Sequence, residues 1–341
     1  MDSLIWTVST VKDTVANLER FVTRNLAGGV DHLVVFVDDD DAGSLELLSS
    51  HPHTTGIAAG PWWGPGRPDA LNSRQRIAAN AVRAIAAGLG DVAWVFHIDG
   101  DEAIQLDARR LASLGPDARA VRLEVLEAVA QWDPSPGSEH LFKRRLAKDD
   151  LNELVARGLV DRPRNDHYFN GHVNGKIGVR PAYDVWLGIH RAMDDRRQAL
   201  PALEAPWLRL LHYATPPGRD FERKWRNLLS SGTRATVRSA RTPVADGLRA
   251  TIAAGEPMGP DALRRVFEET VADDVPSLRA LGVLEEIDPC AVQHAPTPYA
   301  AAEELESRLL ALSSQDKRAF EPERGAAAGR ALVDAYPGKP S

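Results

Sequence analysis

WVFHIDGDEAI, residues 94–104, decides how this chain is read. A largely apolar run reaches Ile98 and then gives way to three acids, Asp99, Asp101 and Glu102. A strand that is apolar on both faces belongs inside a sheet covered on both sides. In open α/β sheets, ligands bind beyond the carboxyl ends of the strands. The break after Ile98 therefore reads as a buried strand whose tip is offered to something polar.

The residues before it repeat the pattern. Leu4–Ser9 reads as a short strand, and Asp13–Ala27 places Val15, Leu18, Phe21, Val22 and Leu26 at helical spacing until Gly28-Gly29 stops it. His32–Val37 (HLVVFV) is a second strand, ending in the acids Asp38–Asp41, and Ser44–Leu48 a short helix. Thr54–Ala58 is a third strand. The stretch GPWWGPGRP, 60–68, is too rich in Gly and Pro for regular structure. Asn72 is placed to cap a helix running to Ala87, and Val92–Ile98 is the fourth strand. This alternation predicts an α/β fold with a mostly parallel sheet flanked by helices. The two acidic tips, Asp38–Asp41 and Asp99–Glu102, would then face one crevice.

Beyond this the pattern loosens. Ala120–Ala128 suits a strand or a helix, Lys176–Arg180 and Trp207–Tyr213 read as strands, and from Phe221 onward the spacing is helical. The expected division is a catalytic domain over 1–220 and a helical C-terminal region over 221–341.

Composition narrows the function. With 341 residues, 43% of them hydrophobic, the chain can build one large core or two modest ones. Its net charge of -7 and scattered arginines give no basic stripe for a nucleic-acid backbone. A lone cysteine, Cys290, leaves no internal disulfide and no Cys-based zinc cluster, which suits a reducing cytoplasm. No apolar run approaches the roughly 20 residues of a membrane helix. The opening MDSLIWTVST carries an acid where a signal peptide would be basic. A soluble cytoplasmic protein is expected.

Residues two apart in an extended segment point the same way, so Asp99 and Asp101 can present carboxylates to one point while Gly100 lets the backbone come close. Two hard oxygen donors suit Mg²⁺ or Mn²⁺, which often bind through one or two carboxylates and a substrate's phosphates. A solvated Asp-Gly turn is the plain alternative.

The ordered set GVDHLVVFVDDDDAGSLELL, RQRIAAN, WVFHIDGDEAI, NGKIGVRP, GIH and LLHYATPPGRDFERKW resembles family 2-type glycosyltransferases of the GT-A fold, in the subgroup with a strand-end Asp-x-Asp-Glu box. The likeness spans roughly residues 4–228, a domain-scale stretch. It implies a Rossmann-like, mostly parallel sheet with a helical C-terminal extension, and metal-dependent transfer of a sugar from a nucleotide-sugar donor to an acceptor. On that likeness Asp99 and Asp101 hold Mn²⁺ or Mg²⁺ against the donor diphosphate, with His212 or His190 as a further ligand. Asp38 or Asp39 accepts from the nucleotide base, Val8 and Thr10 line its pocket, and Arg74 approaches the diphosphate with Gln75 and Gly100 beside it. Arg180, Arg191 and Lys224 would help neutralise the leaving group. The sequence departs from the family's Asp-Asp-x-Ser pattern, since DDDDAGS delays its serine.

A base for the acceptor hydroxyl is sought among Glu124, Glu127, Asp133 and Asp166. Glu127 lies in an apolar stretch that would raise its pKa, and Asp166 in a polar aromatic loop; these two are the candidate catalytic residues. Trp62, Trp63 and Trp132 read as residues packing loops onto a scaffold. The helical third would complete the acceptor side, form a homodimer contact or cover the sheet. Two other readings stand beside sugar transfer: a haloacid-dehalogenase-like phosphohydrolase, which also uses Asp-x-Asp after a strand, and a non-catalytic binding protein on a transferase fold.

Overall fold

The computed structural model describes residues 3–134, 137–158, 162–163, 165, 168–230, 259–292, 294–299, 302–321, 324 and 326–336. The chain divides into two compact units. The first comprises Met1–Glu124, Gly175–Leu210 and Pro289–Ser341, the second Val125–Asn174 and Leu211–Asp288.

In chain order the strands of the first unit's N-terminal part are β1 (Leu4–Val11), β2 (His32–Val37), β3 (Thr54–Ala58), β4 (Val92–His97), β5 (Glu102–Leu106) and β6 (Ala120–Ala128). Between them lie helices α1 (Val15–Ala27), α2 (Ala42–Ser50), α3 (Ala59–Trp63), α4 (Leu71–Leu89) and α5 (Ala108–Ala112). Two later strands of interest are β7 (Leu141–Lys143) and β8 (Lys176–Val179).

The first unit is mixed α/β. Its sheet runs β6-β8-β4-β1-β2-β3, with β1 parallel to β2 and β4, and β2 parallel to β3. β8 runs antiparallel to both its neighbours, β4 and β6. Every residue of β1 and β2 is buried, as apolar strands covered on both faces must be. Helix α4 packs on β1 and β4 and places Ile77, Val82 and Ile85 in one core with Trp6, Phe36 and Trp62. Leu305, Leu309 and Phe320 of the C-terminal stretch join that core, so part of the helical third covers the sheet.

Local chemistry sets the element ends. The Thr14 side chain accepts from the Asn17 N–H at the start of α1, and Asp41 does the same for Ser44 at α2. Two expectations are corrected. Residues 60–68 are not irregular throughout, because Ala59–Trp63 is helical and Gly64–Gly66 a 3-10 turn. Burial of Trp62 and Trp63, with the Trp62 indole N–H donating to the Leu309 carbonyl at 3.0 Å, holds that Gly- and Pro-rich stretch in place. Nor does Asn72 cap α4, which begins at Leu71 after Ala70 with no side-chain cap.

The second unit is built around the last residues of β6, which pair antiparallel with β7, Glu127 opposite Lys143. A strand at Leu284–Glu286 pairs with the other side of β7, so the residues beyond 221 are not purely helical. A small core of Leu146, Leu151, Leu278 and Val283 supports this unit, and Phe267 packs edge-on against Trp132 and Phe221. Among the described residues no helix is long and apolar enough to cross a membrane.

Candidate functional site

The tips of β2 and β4 flank β1 in a parallel sheet, so both emerge at one edge. The Asp38 N–H donates to the Val11 carbonyl at 2.8 Å and the Ile98 N–H to the Val8 carbonyl at 3.2 Å, fixing both exits against β1. Consecutive residues of α4 then join the two tips. Arg74 donates to Asp38 Oδ2 at 3.0 Å, and Gln75 donates to Asp99 Oδ1 at 2.7 Å.

Each acid after β2 has its own task. Asp38 faces two guanidinium groups, with Arg67 2.9 Å from Oδ1 and Arg74 3.0 Å from Oδ2. Arg74 is itself buried and also donates to the Pro68 and Asp69 carbonyls. Asp39 is exposed. Asp40 adopts the left-handed φ of 55°, a conformation that Asp tolerates better than most residues, and accepts from the Gly60 N–H. Asp41 is spent on the cap of α2, whose Ser44 hydroxyl also donates to it. The delayed serine of DDDDAGS is therefore the partner of a helix cap. Val8 is wholly inside the core and Thr10 is 8% exposed.

The tip of β4 is a hydrogen-bonded turn. The Asp99 N–H donates to Glu102 Oε2 at 2.7 Å, and the Glu102 N–H returns to the Asp99 carbonyl at 3.1 Å. A Cβ on Gly100 would lie 3.0 Å from Val11 Cγ2, so a larger residue here would require Val11 to give way by a few tenths of an ångström. Asn25, buried in α1, clamps the strand beyond it by donating to the Glu102 carbonyl and accepting from the Ile104 N–H. Asp101 is half-buried.

Lys176, at the start of β8, has no exposed side-chain surface; its Nζ lies 2.6 Å from Asp99 Oδ2 and 3.5 Å from Glu102 Oε2. Desolvation, the largest influence, works to raise the Asp99 pKa, but the Lys176 charge, the His97 ring and the hydrogen bond from Lys176 together outweigh it and hold the carboxyl well below the usual carboxylate range. The converse applies to the ammonium. Burial favours its neutral form, yet attraction to Asp99 and Glu102 raises it above an ordinary lysine. His97 beside them is pushed down to about 4 by burial and by the Lys176 charge.

These contacts leave Asp99 no oxygen without a donor: Gln75 holds one and Lys176 the other. The set does not fit a divalent ion at Asp99, because the buried Lys176 ammonium holds the place and the charge that such an ion would take. His190 bonds through Nδ1 to the Gly175 carbonyl at 2.7 Å.

Arg180 sits elsewhere. Because β8 is antiparallel to β4, Lys176 falls at the tip and Arg180 at the other end, where it donates to the Ala118 and Leu114 carbonyls and covers the Trp94 ring. Arg191 is exposed. A cavity of about 990 Å³ lined by Ser3, Arg109, Trp207 and His294 lies toward the beginning of β1, away from the acidic tips.

The remaining candidates belong to the second unit. Glu127 is fully buried, 2.8 Å from Lys143 Nζ, and accepts the N–H groups of Asn170 and Gly171. Lys143 is shared with Asp273 at 2.7 Å. Burial works to raise Glu127, as expected for an apolar stretch, but Lys143 and His212 overcome it, and the net shift is downward. That reverses the direction expected of a poised base. His212 is buried and stacks on His172 with ring centroids 4.7 Å apart. Lys224 donates to the Tyr213 and Ala214 carbonyls. Glu124, in the first unit, is exposed, and Asp133 pairs with Arg264. Asp166 lies outside the described residues.

Lys176, Arg67 and Asn25 are the participants that sequence patterning did not single out, and Glu102, read only as part of the acidic box, proves to hold the turn. The signal for Lys176 was its place four residues before Arg180 on a short strand, which becomes informative only once the strand's direction is known. Compared with protein-family models and with curated proteins, the chain gives no match.

Proposed function

We propose that the first unit binds a nucleoside diphosphate sugar at the joined tips of β2 and β4, and that the protein transfers the sugar to an acceptor. The observation that carries this reading is the bridge made by adjacent residues of α4, Arg74 to Asp38 and Gln75 to Asp99, which fixes two acidic strand tips in one polar edge. Ligands of open α/β sheets gather at such edges. In the proposed reaction the bond from the anomeric carbon to the terminal phosphate oxygen breaks, the acceptor oxygen takes its place, and the acceptor's proton leaves. Charge then builds on the departing diphosphate. Arg67, with a side chain 35% exposed and anchored to Asp38, is the cation best placed to meet it. Asp39, open to solvent, serves the nucleotide base.

The reading is tested by thermal shift with UDP and GDP, followed by turnover of UDP- and GDP-sugars measured as diphosphate release. A nucleotide at about 100 times its Kd adds roughly 2.7 kcal/mol to the stability of the unit it binds. Arg67→Ala is expected to weaken that stabilisation. Phosphate release from simple phosphomonoesters without nucleotide binding would move the assignment to a phosphohydrolase. Nucleotide binding without turnover of any sugar donor would leave a binding protein.

A further inference from the structure

The acidic strand tip that would ordinarily be read as a cation site already contains a cation. Lys176 Nζ lies 2.6 Å from Asp99 Oδ2 and 3.5 Å from Glu102 Oε2, in a side chain with no exposed surface. Gln75 occupies the other Asp99 oxygen at 2.7 Å, and Glu102 Oε2 also accepts the Asp99 N–H. Buried lysines are rare unless paired, and here the pairing is complete on both sides.

We infer that Lys176 is the built-in counter-cation of Asp99, so that the tip of β4 receives a phosphorylated ligand without a divalent ion at that carboxylate. A metal bound to Asp99 would have to displace the ammonium from a dry position, stranding it, or sit beside it against like-charge repulsion that the low local dielectric strengthens. Asp99 is thus a positioning residue: it holds Lys176 and Gln75 and, through its N–H, the Glu102 turn. The ammonium cancels one of the negative charges that would repel an incoming diphosphate, which is the electrostatic part of what a bridging ion does.

The position of Lys176 is fixed by the backbone. It starts β8, opposite Leu123 of β6, immediately after Gly175, whose φ of 65° and approach to the Leu123 carbonyl leave no room for a Cβ. The glycine turn aims the following residue at the tip. The inference takes its ligand class from the sugar-transfer reading, but the assignment of the cation does not depend on it.

The experiment is a Mn²⁺ titration of the full chain followed by electron paramagnetic resonance, without nucleotide, on wild type, Asp99→Asn and Lys176→Gln. Wild type and Asp99→Asn are expected to give superimposable curves. Lys176→Gln, which empties the position and leaves two carboxylates facing it, is expected to bind Mn²⁺ roughly tenfold tighter or more, a gain of about 1.4 kcal/mol. A stoichiometric Mn²⁺ site in wild type that Asp99→Asn removes would overturn the inference, as would a folded Lys176→Gln protein with no gain. Should Lys176→Gln fail to fold, the comparison of wild type with Asp99→Asn decides alone. In a second arm, UDP and GDP are titrated calorimetrically in EDTA and in Mn²⁺. Equal affinity is expected, and a metal requirement that Asp99→Asn abolishes overturns the inference. If neither nucleotide binds in either condition, the sugar-transfer reading falls while the Mn²⁺ result still judges Lys176.

Discussion

Mild acid is expected to destabilise the first unit through His32. This residue opens β2, has no exposed surface, and bonds through Nε2 to the Thr55 hydroxyl at 2.8 Å, with Trp6 and Tyr299 against its ring. Burial, reinforced by the neighbouring His53 charge, pushes it from the ordinary 6.5 down to about 3, against the pull of Asp31. Between those values the unfolded chain holds a proton that the folded chain refuses. Stability is therefore fully present above pH 6.5 and falls as the pH drops towards 3. The whole shift is worth about 5 kcal/mol, at about 1.4 kcal/mol per pH unit. The part falling between pH 7 and pH 5 is about 2 kcal/mol. His32→Gln keeps a polar group within reach of Thr55 and carries no titratable proton. Urea unfolding at pH 7, 6 and 5 reports the difference. Tryptophan fluorescence is a suitable signal, because Trp6, Trp62, Trp63, Trp94, Trp186 and Trp207 all lie in the first unit. Other acid-sensitive groups, His97 among them, are common to both proteins and cancel. The variant should lose about 2 kcal/mol less than wild type over this range. Parallel profiles would refute the argument that the folded ring stays neutral.

Three further perturbations test other parts of the structure. Glu127→Gln should destabilise the second unit by about 3–5 kcal/mol, since it breaks the buried pair with Lys143. It should leave the pH profile of any sugar transfer unmoved, and a lost acidic limb in kcat would instead restore Glu127 as the base. Trp62→Ala removes a fully buried indole and its bond to Leu309, and a loss of about 3–5 kcal/mol is expected in the same fluorescence-monitored urea experiment. Gly28→Ala would set a Cβ 1.8 Å from the Ile104 carbonyl oxygen, a backbone atom that cannot step aside. The cost should be at least about 1–3 kcal/mol, visible as a lowered Tm and as faster hydrogen exchange at the Leu106 amide, which donates to the Gly28 carbonyl.

Much of the first unit is legible because its strands are buried on both faces. HLVVFV reads as 32–37 and is 32–37, and Thr54–Ala58 also coincides with its strand. Apolar runs bounded by acids and glycines have little freedom to be anything else. Where local rules failed, long-range packing decided. The Gly- and Pro-rich stretch around Trp62 turns helical because two tryptophans are drawn into a core completed by Leu309, nearly 250 residues away in the chain. Asn25 escapes a search for apolar periodicity for a similar reason. It sits on the buried face of α1, where a polar side chain reads as an error until the backbone of Glu102 and Ile104 is seen to need it.

The acidic tips show the sharper limit. A sequence displays carboxylates but not what neutralises them, and Asp-x-Asp looks the same whether its counter-charge is an ion from solvent or a lysine from another strand. The answer here depends on strand direction. Were β8 parallel to β4, Arg180 would reach the tip and Lys176 the opposite end. Because it is antiparallel, the two basic residues exchange places, and the flexible single-point cation, not the planar forked one, meets Asp99. That exchange has a chemical consequence. An ammonium can be enclosed between two carboxylates at 2.6 and 3.5 Å with no exposed surface, while a guanidinium presents five donors in a fixed fork, and Arg180 places them on carbonyl oxygens at the far end. Reversing the two residues, by Lys176→Arg with Arg180→Lys, preserves charge and composition. It should nonetheless destabilise the first unit, because Asp99 Oδ2 and Glu102 Oε2 are too few acceptors for the five donors of a buried guanidinium and the Leu114 and Ala118 carbonyls lose its fork. Unchanged urea stability in that double variant would mean that net charge alone, and not its geometry, holds the tip of β4.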